Sequence, residues 1–298
     1  MTMRLAAAAG IIVTVLAGRT ASASAVGAMG LAVPISVRQT GMGGVSAGGS
    51  DVLRAWCNPA LLGGQESRWE LAAAGASMFG EETSLILGGG WALHPAWSLG
   101  AFGMSNGTSA DEVDEYGNET GKTFSQGLIA GGMGMAWRYD WLGLGVAGKF
   151  VSEEVGDSGA STVLADAGVE ARKWGFALSA AMRNLGGDLE YSDAVSVGLP
   201  RELRCGLAYL HDPLRVLAGV EYVQVKDRDS AVGLGAEWWP VKAFAVRAGY
   251  LGEAGAGSVI AKGHRTDGPV ALLADDDLGD PLVLRVGVVD LVAVDEQY

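Results

Sequence analysis

The chain has 298 residues, of which 49% are hydrophobic, 18% are charged and 47 are glycine. Its net charge of −13 argues against nucleic acid as a partner, because phosphate binding needs clustered lysine and arginine. No apolar run reaches the roughly 20 residues that a membrane-spanning helix requires. Two cysteines, Cys57 and Cys205, do not make a disulfide framework, and whether they pair with each other is left open.

The first 25 residues are typical of a secretory signal peptide. Arg4 precedes an apolar run over residues 5–17, and small residues follow at positions 21–25. A charged start, a short apolar core and an A-x-A site together predict export and cleavage, here after Ala23 or Ala25. A short buried helix is the less favoured alternative, because the run is not amphipathic.

Most of the remaining chain alternates with a period of two, which predicts strands with two different faces. Clear examples begin at Leu142, Trp174, Leu203 and Val216. A helix would place the charges three or four residues apart and would not tolerate this much glycine. Between residues 67 and 290 the pattern predicts roughly 14 antiparallel strands, within the range of membrane β-barrels.

A soluble β-sandwich and a membrane β-barrel both alternate in this way. In this chain the second face is mostly glycine and alanine with isolated charges, a composition that suits a narrow interior in which opposite charges pair. We therefore predict an all-β fold, an antiparallel transmembrane β-barrel. Its predicted lumen charges are Lys149, Asp166, Glu170, Arg183, Arg204, Arg215, Glu221, Glu237 and Arg247.

Tryptophans lie beside the short turns, and longer polar connections are predicted at residues 107–123, 154–161, 186–200 and 226–229. Outer-membrane barrels have short periplasmic turns, longer outer loops and aromatic girdles at the membrane interfaces. The alternative is that these side chains fill a core near turns. The predicted girdle consists of Trp91, Trp97, Trp137, Trp141, Trp174, Trp238 and Trp239.

No motif indicates catalysis, a cofactor or a metal. Residues 44–48 fit G-x-S-x-G but have no preceding sheet to carry a nucleophile elbow. Residues 143–148 fit G-x-G-x-x-G, yet they lie inside an alternating strand rather than at a strand-to-helix turn. The three histidines are scattered, and the acidic residues 111–115 lack the spacing of an EF-hand loop. We predict a protein that is not an enzyme and has no cofactor.

Several short motifs occur in a characteristic order. Residues 38–44 read RQTGMGG, Asp51 follows, and residues 58–62 read NPALL. This segment resembles the N-terminal signature of the PorV/PorQ family of outer-membrane proteins, which is related to FadL-type barrels whose N-terminal hatch carries a similar Asn-Pro-Ala. The motifs at 149–153, 182–186, 199–209, 235–238 and 247–250 fit the order of the same family. The resemblance covers roughly residues 35–252 of the chain.

The resemblance implies that an N-terminal segment folds into the lumen as a short helical plug, or hatch. The implied division is a signal peptide at 1–25, the plug at 26–64 and the transmembrane barrel at 65–298. The C-terminus departs from the family, because residues 294–298 are polar although Tyr298 is aromatic. The implied plug motif consists of Gly41, Gly43, Gly44, Asp51, Asn58, Pro59 and Ala60.

For function, the resemblance implies a non-enzymatic outer-membrane barrel that acts in type IX protein secretion or binds a partner. The alternative is a FadL-like channel for hydrophobic small molecules. The expected location is the bacterial outer membrane, after Sec-dependent export and signal cleavage. The expected partners are outer-membrane lipid and either secretion-system proteins or hydrophobic ligands. A third class, a secreted soluble β-protein, would require the apolar faces of the strands to be buried.

Overall fold

The structure is a computed structural model that describes residues 27–32, 36–49, 52–64, 68–78, 82–113, 119–192, 195–241, 244–253, 259–264, 270–271, 287–288 and 291–294. The predicted signal peptide, Asp51 and the polar C-terminal end at 295–298 lie outside the described residues.

The N-terminal segment forms four short helical elements. They are the 3-10 turns Met29–Ala32, Val52–Trp56 and Pro59–Gly64 and the α-helix Val37–Gly41. The α-helix begins after Ser36, whose side chain accepts a hydrogen bond from the amide of Gln39 and so caps the helix. No helix in the described part of the chain is long and apolar enough to cross a membrane.

Strands make up nearly all of the rest. Their bounds are β1 Trp69–Met78, β2 Glu82–His94, β3 Trp97–Val113, β4 Glu119–Tyr139, β5 Leu142–Val155, β6 Ser158–Lys173, β7 Phe176–Gly186, β8 Leu189–Ser192, β9 Val195–Val197, β10 Glu202–His211, β11 Val216–Val225, β12 Ala231–Val241, β13 Phe244–Glu253, β14 Val259–His264, β15 Val270–Ala271, β16 Gly287–Val288 and β17 Leu291–Val294. Thirteen of the described strands form one antiparallel sheet, in the order β14-β13-β12-β11-β10-β7-β6-β5-β4-β3-β2-β1-β17, and β8–β9 and β15–β16 are separate pairs.

Two of the predicted long connections are wrong. Residues 154–161 form a tight turn instead, because β5 ends at Val155 and β6 begins at Ser158. Gly156 supplies the positive φ of 58° that a two-residue hairpin turn needs. Similarly, β3 and β4 run on to Val113 and back from Glu119, through most of the predicted 107–123 loop. The strands continue through polar residues, so a prediction from polarity alone overestimates the length of these loops.

The sheet curls around the N-terminal segment. The amide of Val52 donates to Glu70 on β1, at one side of the sheet, and Arg38 pairs with Glu237 on β12, near the other side. Strands between these also touch the segment, for example β6 through Asn58 and β11 through Ser46. Because one short segment reaches both sides of the sheet, the sheet encloses it. The predicted fold class, an antiparallel barrel with a short helical plug, is confirmed.

The outward face of the sheet is apolar. Ile129, Met133 and Val163 are 64%, 72% and 69% exposed, although they lie in the middle of long strands. In β5 the inward residues Lys149, Val151 and Glu153 are buried, and their neighbours on the strand are exposed or partly exposed. The apolar rows therefore face outward, and they are not covered by a second sheet in the described part of the chain.

Candidate functional site

The two ends of the barrel differ. At one end, here the turn end, consecutive strands join through short turns at residues 95–96, 140–141 and 174–175. At the other, here the loop end, lie the turn at 156–157 and the longer connection 187–201, which contains the β8–β9 hairpin. The plug is defined as residues 27–64. It begins at the loop end, where the amide of Gly27 donates to the carbonyl of Gly198, and it extends to the turn end.

Glycines on the inner wall allow the plug backbone to approach closely. A Cβ atom on Gly235 or Gly249 would collide with the backbone of Met42, and one on Gly145 would collide with the backbone of Pro59 and Ala60. The wall is therefore rich in glycine where it touches the plug, which explains the small residues on the second face of the strands.

Charged wall side chains bind the plug. The carboxylate of Glu221 accepts hydrogen bonds from the amide and hydroxyl of Ser46. The guanidinium of Arg204 donates to the carbonyl of Gly44 at 2.8 Å, and that of Arg172 donates to the carbonyl of Gly49 at 3.0 Å. Hydrogen bonds that involve a charged group contribute more than neutral ones, so the plug is held by strong contacts on several strands.

Hydrogen bonds of Asn58 hold the Asn-Pro-Ala turn against the barrel wall. The side-chain amide of Asn58 donates to the carbonyls of Val169 and Ala180 at 3.2 and 3.3 Å, on two neighbouring strands. Its oxygen accepts from the amide of Ala60 at 3.0 Å. One side chain thus closes the turn and ties it to β6 and β7. Gly41, Gly43, Gly44, Pro59 and Ala60 of the predicted plug motif all lie buried inside the barrel.

Eight of the nine predicted lumen charges are buried on the inner wall. Arg215 is the exception: it lies exposed at the turn end, with a left-handed φ of 51° after a 3-10 turn, because β11 begins only at Val216. The buried groups form ion pairs, in which the nitrogen–oxygen distances are 2.5 Å for Lys149–Asp166, 2.9 Å for Arg183–Glu202, 2.6 Å for Arg204–Glu221, 2.5 Å for Arg247–Glu237 and 2.5 Å for Arg138–Glu170.

Sequence reasoning missed Arg138, Glu202 and Glu153, which also point inward. The signal was available for all three. Glu202 stands two residues before Arg204, and Glu153 stands four residues after Lys149. Arg138 stands two residues after the buried Ala136. A period-two count carried to the strand ends would have included all of them.

Tryptophans gather at the turn end. Trp97 is paired in register with Trp137, and Trp91 with Trp69, which the sequence prediction omitted. Trp239 was predicted as a girdle residue, but it occupies an inward position of β12. The centre of its ring lies 5.5 Å from the Cζ atom of Arg247. The girdle residues that are exposed or partly exposed are Trp91, Trp97, Trp137, Trp141, Trp174 and Trp238.

A cavity of about 450 Å³ opens at the loop end, beside the start of the plug. Its size falls within the range of small-molecule sites, about 300–1,000 Å³. The β8–β9 hairpin forms one wall. The apolar lining residues are Ala28, Met29, Val155, Val195 and Val197, and the others are Gly27, Gln126, Glu153, Ser158, Tyr191 and Ser192. We call this cavity the loop-end pocket.

Glu153 ties three elements together at the base of this pocket. Its carboxylate accepts hydrogen bonds from the amide of Ala28 in the plug, the side-chain amide of Gln126 on β4 and the hydroxyl of Tyr191 on β8. Partial burial and the hydrogen bond to Glu153 raise the pKa of the Tyr191 hydroxyl, which therefore stays protonated as a donor. The arrangement can hold a small, mostly apolar molecule against one carboxylate.

No cluster of three or more potential metal ligands occurs within the described residues, and Cys57 and Cys205 are both free thiols. The hydroxyl of Ser46, from the G-x-S-x-G sequence, is bound to Glu221 between plug and wall. Ser46 therefore has a structural contact that anchors the plug.

Comparisons with known proteins identify the fold. No family model and no curated protein sequence matches the chain. Among solved structures, it is similar to the Pseudomonas putida toluene transporter TodX, with 13% identity, a TM-score of 0.61 and coverage of 87% of this chain and 96% of that one. It is also similar to the Ralstonia pickettii toluene transporter TbuX, with 14% identity, a TM-score of 0.58 and coverage of 86% of this chain and 96% of that one. A Pseudomonas aeruginosa FadL homologue matches with 9% identity, a TM-score of 0.55 and coverage of 87% of this chain and 96% of that one. At these identities the likeness shows a shared fold, the FadL-type barrel.

Proposed function

We propose that this chain is an outer-membrane channel that takes up small hydrophobic molecules through the loop-end pocket. The observation that carries the proposal is the pocket itself, a cavity of about 450 Å³ with a mostly apolar lining, next to the first residues of the plug. Its place in a barrel that shares the fold of the two toluene transporters supports a transport role, and toluene is the molecule that those two proteins transport.

The outer surface supports a membrane location. Apolar side chains cover the middle of the strands, and tryptophans gather at the turn end, where aromatic rings suit a membrane interface. The signal peptide predicted at residues 1–25 supplies the route, through Sec-dependent export to the bacterial outer membrane.

The plug sets the order of events in transport. It fills the lumen between the loop-end pocket and the turn end, where wall residues hold its backbone. A molecule that binds in the pocket therefore passes onward through the barrel only when part of the plug or the wall beside it moves. In this proposal the pocket captures the molecule and the plug controls its release.

A pair of tryptophan variants tests the proposal. Ser158 lines the pocket at the start of β6, so Ser158→Trp fills the pocket from an exposed position. Ser161 is also exposed, but it lies on the outward face of the same strand, which makes Ser161→Trp the matched control. We expect Ser158→Trp to lower toluene binding to the purified protein and toluene uptake by cells at least several-fold. Equal binding and uptake in the two variants would contradict the proposal.

The second candidate is a partner-binding barrel of the PorV/PorQ type that acts in protein secretion. The observation that favours it is the set of buried ion pairs and plug contacts inside the barrel, which bind the plug to the wall. A folded, membrane-inserted protein that neither binds nor takes up toluene, but co-purifies in constant ratio with a secretion-system protein, would favour this candidate.

A further inference from the structure

Glu153 differs in its surroundings from five other buried carboxylates of the barrel wall. Asp166, Glu170, Glu202, Glu221 and Glu237 each have a lysine or arginine nitrogen within 3.0 Å. Within the described part of the chain, no basic side chain comes within 4.0 Å of Glu153, and its three donors are neutral. Its negative charge is therefore buried with hydrogen bonds but without a cation.

The surroundings of Glu153 matter because it lines a cavity. The residue is 2% exposed, so bulk water does little to screen it, and among the described residues that line the loop-end pocket it is the one with a charged side chain. A buried carboxylate favours a cation beside it and repels an anion. The pocket thus combines an apolar lining with a negative charge at its base.

We propose that the loop-end pocket selects compact apolar molecules that carry an ammonium group and rejects those that carry a carboxylate. This inference rests on the proposed function and names its preferred substrate class. The apolar body lies against Val155, Val195 and Val197, and the ammonium group donates to Glu153.

The donors already present leave room for such a ligand. Two of the three, the hydroxyl of Tyr191 and the amide of Gln126, are side-chain groups that can rotate away. The third, the backbone amide of Ala28, keeps the carboxylate in place against the plug at 2.9 Å. An incoming ammonium group therefore replaces a hydrogen bond from a neutral donor with one from a charged donor, which adds the attraction between opposite charges.

Three monoaromatic probes isolate the effect of the head group. Benzylammonium, benzyl alcohol and benzoate share one ring and differ in charge, and titration calorimetry on the purified protein in an uncharged detergent gives the Kd of each. We expect benzylammonium to bind at least about tenfold more tightly than benzyl alcohol, because its ammonium group adds an attraction between opposite charges to the hydrogen bond that either ligand can donate to Glu153. Benzoate should bind most weakly.

Glu153→Gln keeps the shape and one oxygen acceptor but removes the charge. We expect it to abolish the preference for benzylammonium while the Kd of benzyl alcohol changes less than about twofold, since that ligand needs no charge. Glu154→Gln is the matched control, because Glu154 is the next residue of β5 and points to the outward face. It should bind all three probes as the unaltered protein does.

The outcomes separate this inference from the proposed function. Equal affinities for benzylammonium and benzyl alcohol, or a preference that survives Glu153→Gln, would overturn the selectivity and leave the pocket as a general hydrophobic site. Failure of all three probes to bind would overturn both. Should Glu153→Gln not fold, Tyr191→Phe removes one competing donor and keeps the carboxylate. It should retain or increase the preference for benzylammonium, and loss of that preference would refute the inference.

Discussion

Replacement of one wall glycine should displace the plug. A Cβ atom on Gly145 would overlap the backbone of Pro59 and Ala60, which cannot rotate aside as a side chain could. The Asn58 hydrogen bonds to Val169 and Ala180 hold that turn against the wall, so relief of the overlap also stretches them. Overpacking of this kind typically costs about 1–3 kcal/mol. We therefore expect Gly145→Ala to lower the free energy of unfolding by about this amount.

Gly148 provides the control in the same strand, because a Cβ atom there would meet no other atom within 4 Å. Both substitutions change the flexibility of the unfolded chain equally, so the difference between them measures the collision with the plug. Urea unfolding of both variants in detergent micelles, followed by tryptophan fluorescence, gives the two free energies. If Gly145→Ala and Gly148→Ala unfold at the same urea concentration, the close approach of plug and wall is refuted.

Three further outcomes are expected. Asn58→Ala removes the bonds to β6 and β7 and should raise single-channel conductance in planar bilayers; unchanged conductance would contradict its role in holding the plug. Glu221→Gln leaves the charge of Arg204 less well compensated and should destabilise the protein by up to about 3–5 kcal/mol in urea unfolding, whereas a stability equal to the unaltered protein would count against the anchor. Brominated lipids should quench the tryptophans most when the bromine lies near the headgroups; stronger quenching from the bilayer centre would argue against the girdle.

The strands could be predicted from the sequence because their signal is local. In β5 alternation alone assigned Lys149 to the inside and Phe150 to the outside, and the structure places both as predicted. The errors occur where one local feature, such as a tryptophan near a turn, is compatible with either face of the strand. Trp239 follows Trp238 and was grouped with it, although neighbouring residues of a strand must face opposite sides.

The contacts that build the site could not be predicted in the same way. Ser46 and Glu221 are 175 residues apart, and Ala28 and Glu153 are 125 apart. Nothing in either local sequence specifies the partner, because strand register and the path of the plug together decide which side chains meet. The loop-end pocket depends on the β8–β9 hairpin, whose short strands lie within residues 186–200, where the sequence predicts one long polar connection.

The mobility of the unheated protein on SDS gels tests the central claim, a closed barrel around a plug in the outer membrane, most directly. A closed barrel has no unpaired strand edge for detergent to open, so the folded protein should survive in SDS until it is boiled. We expect the outer-membrane fraction to contain the protein as a band that shifts on boiling. A protein found in the soluble periplasmic fraction, with one mobility before and after boiling, would contradict it.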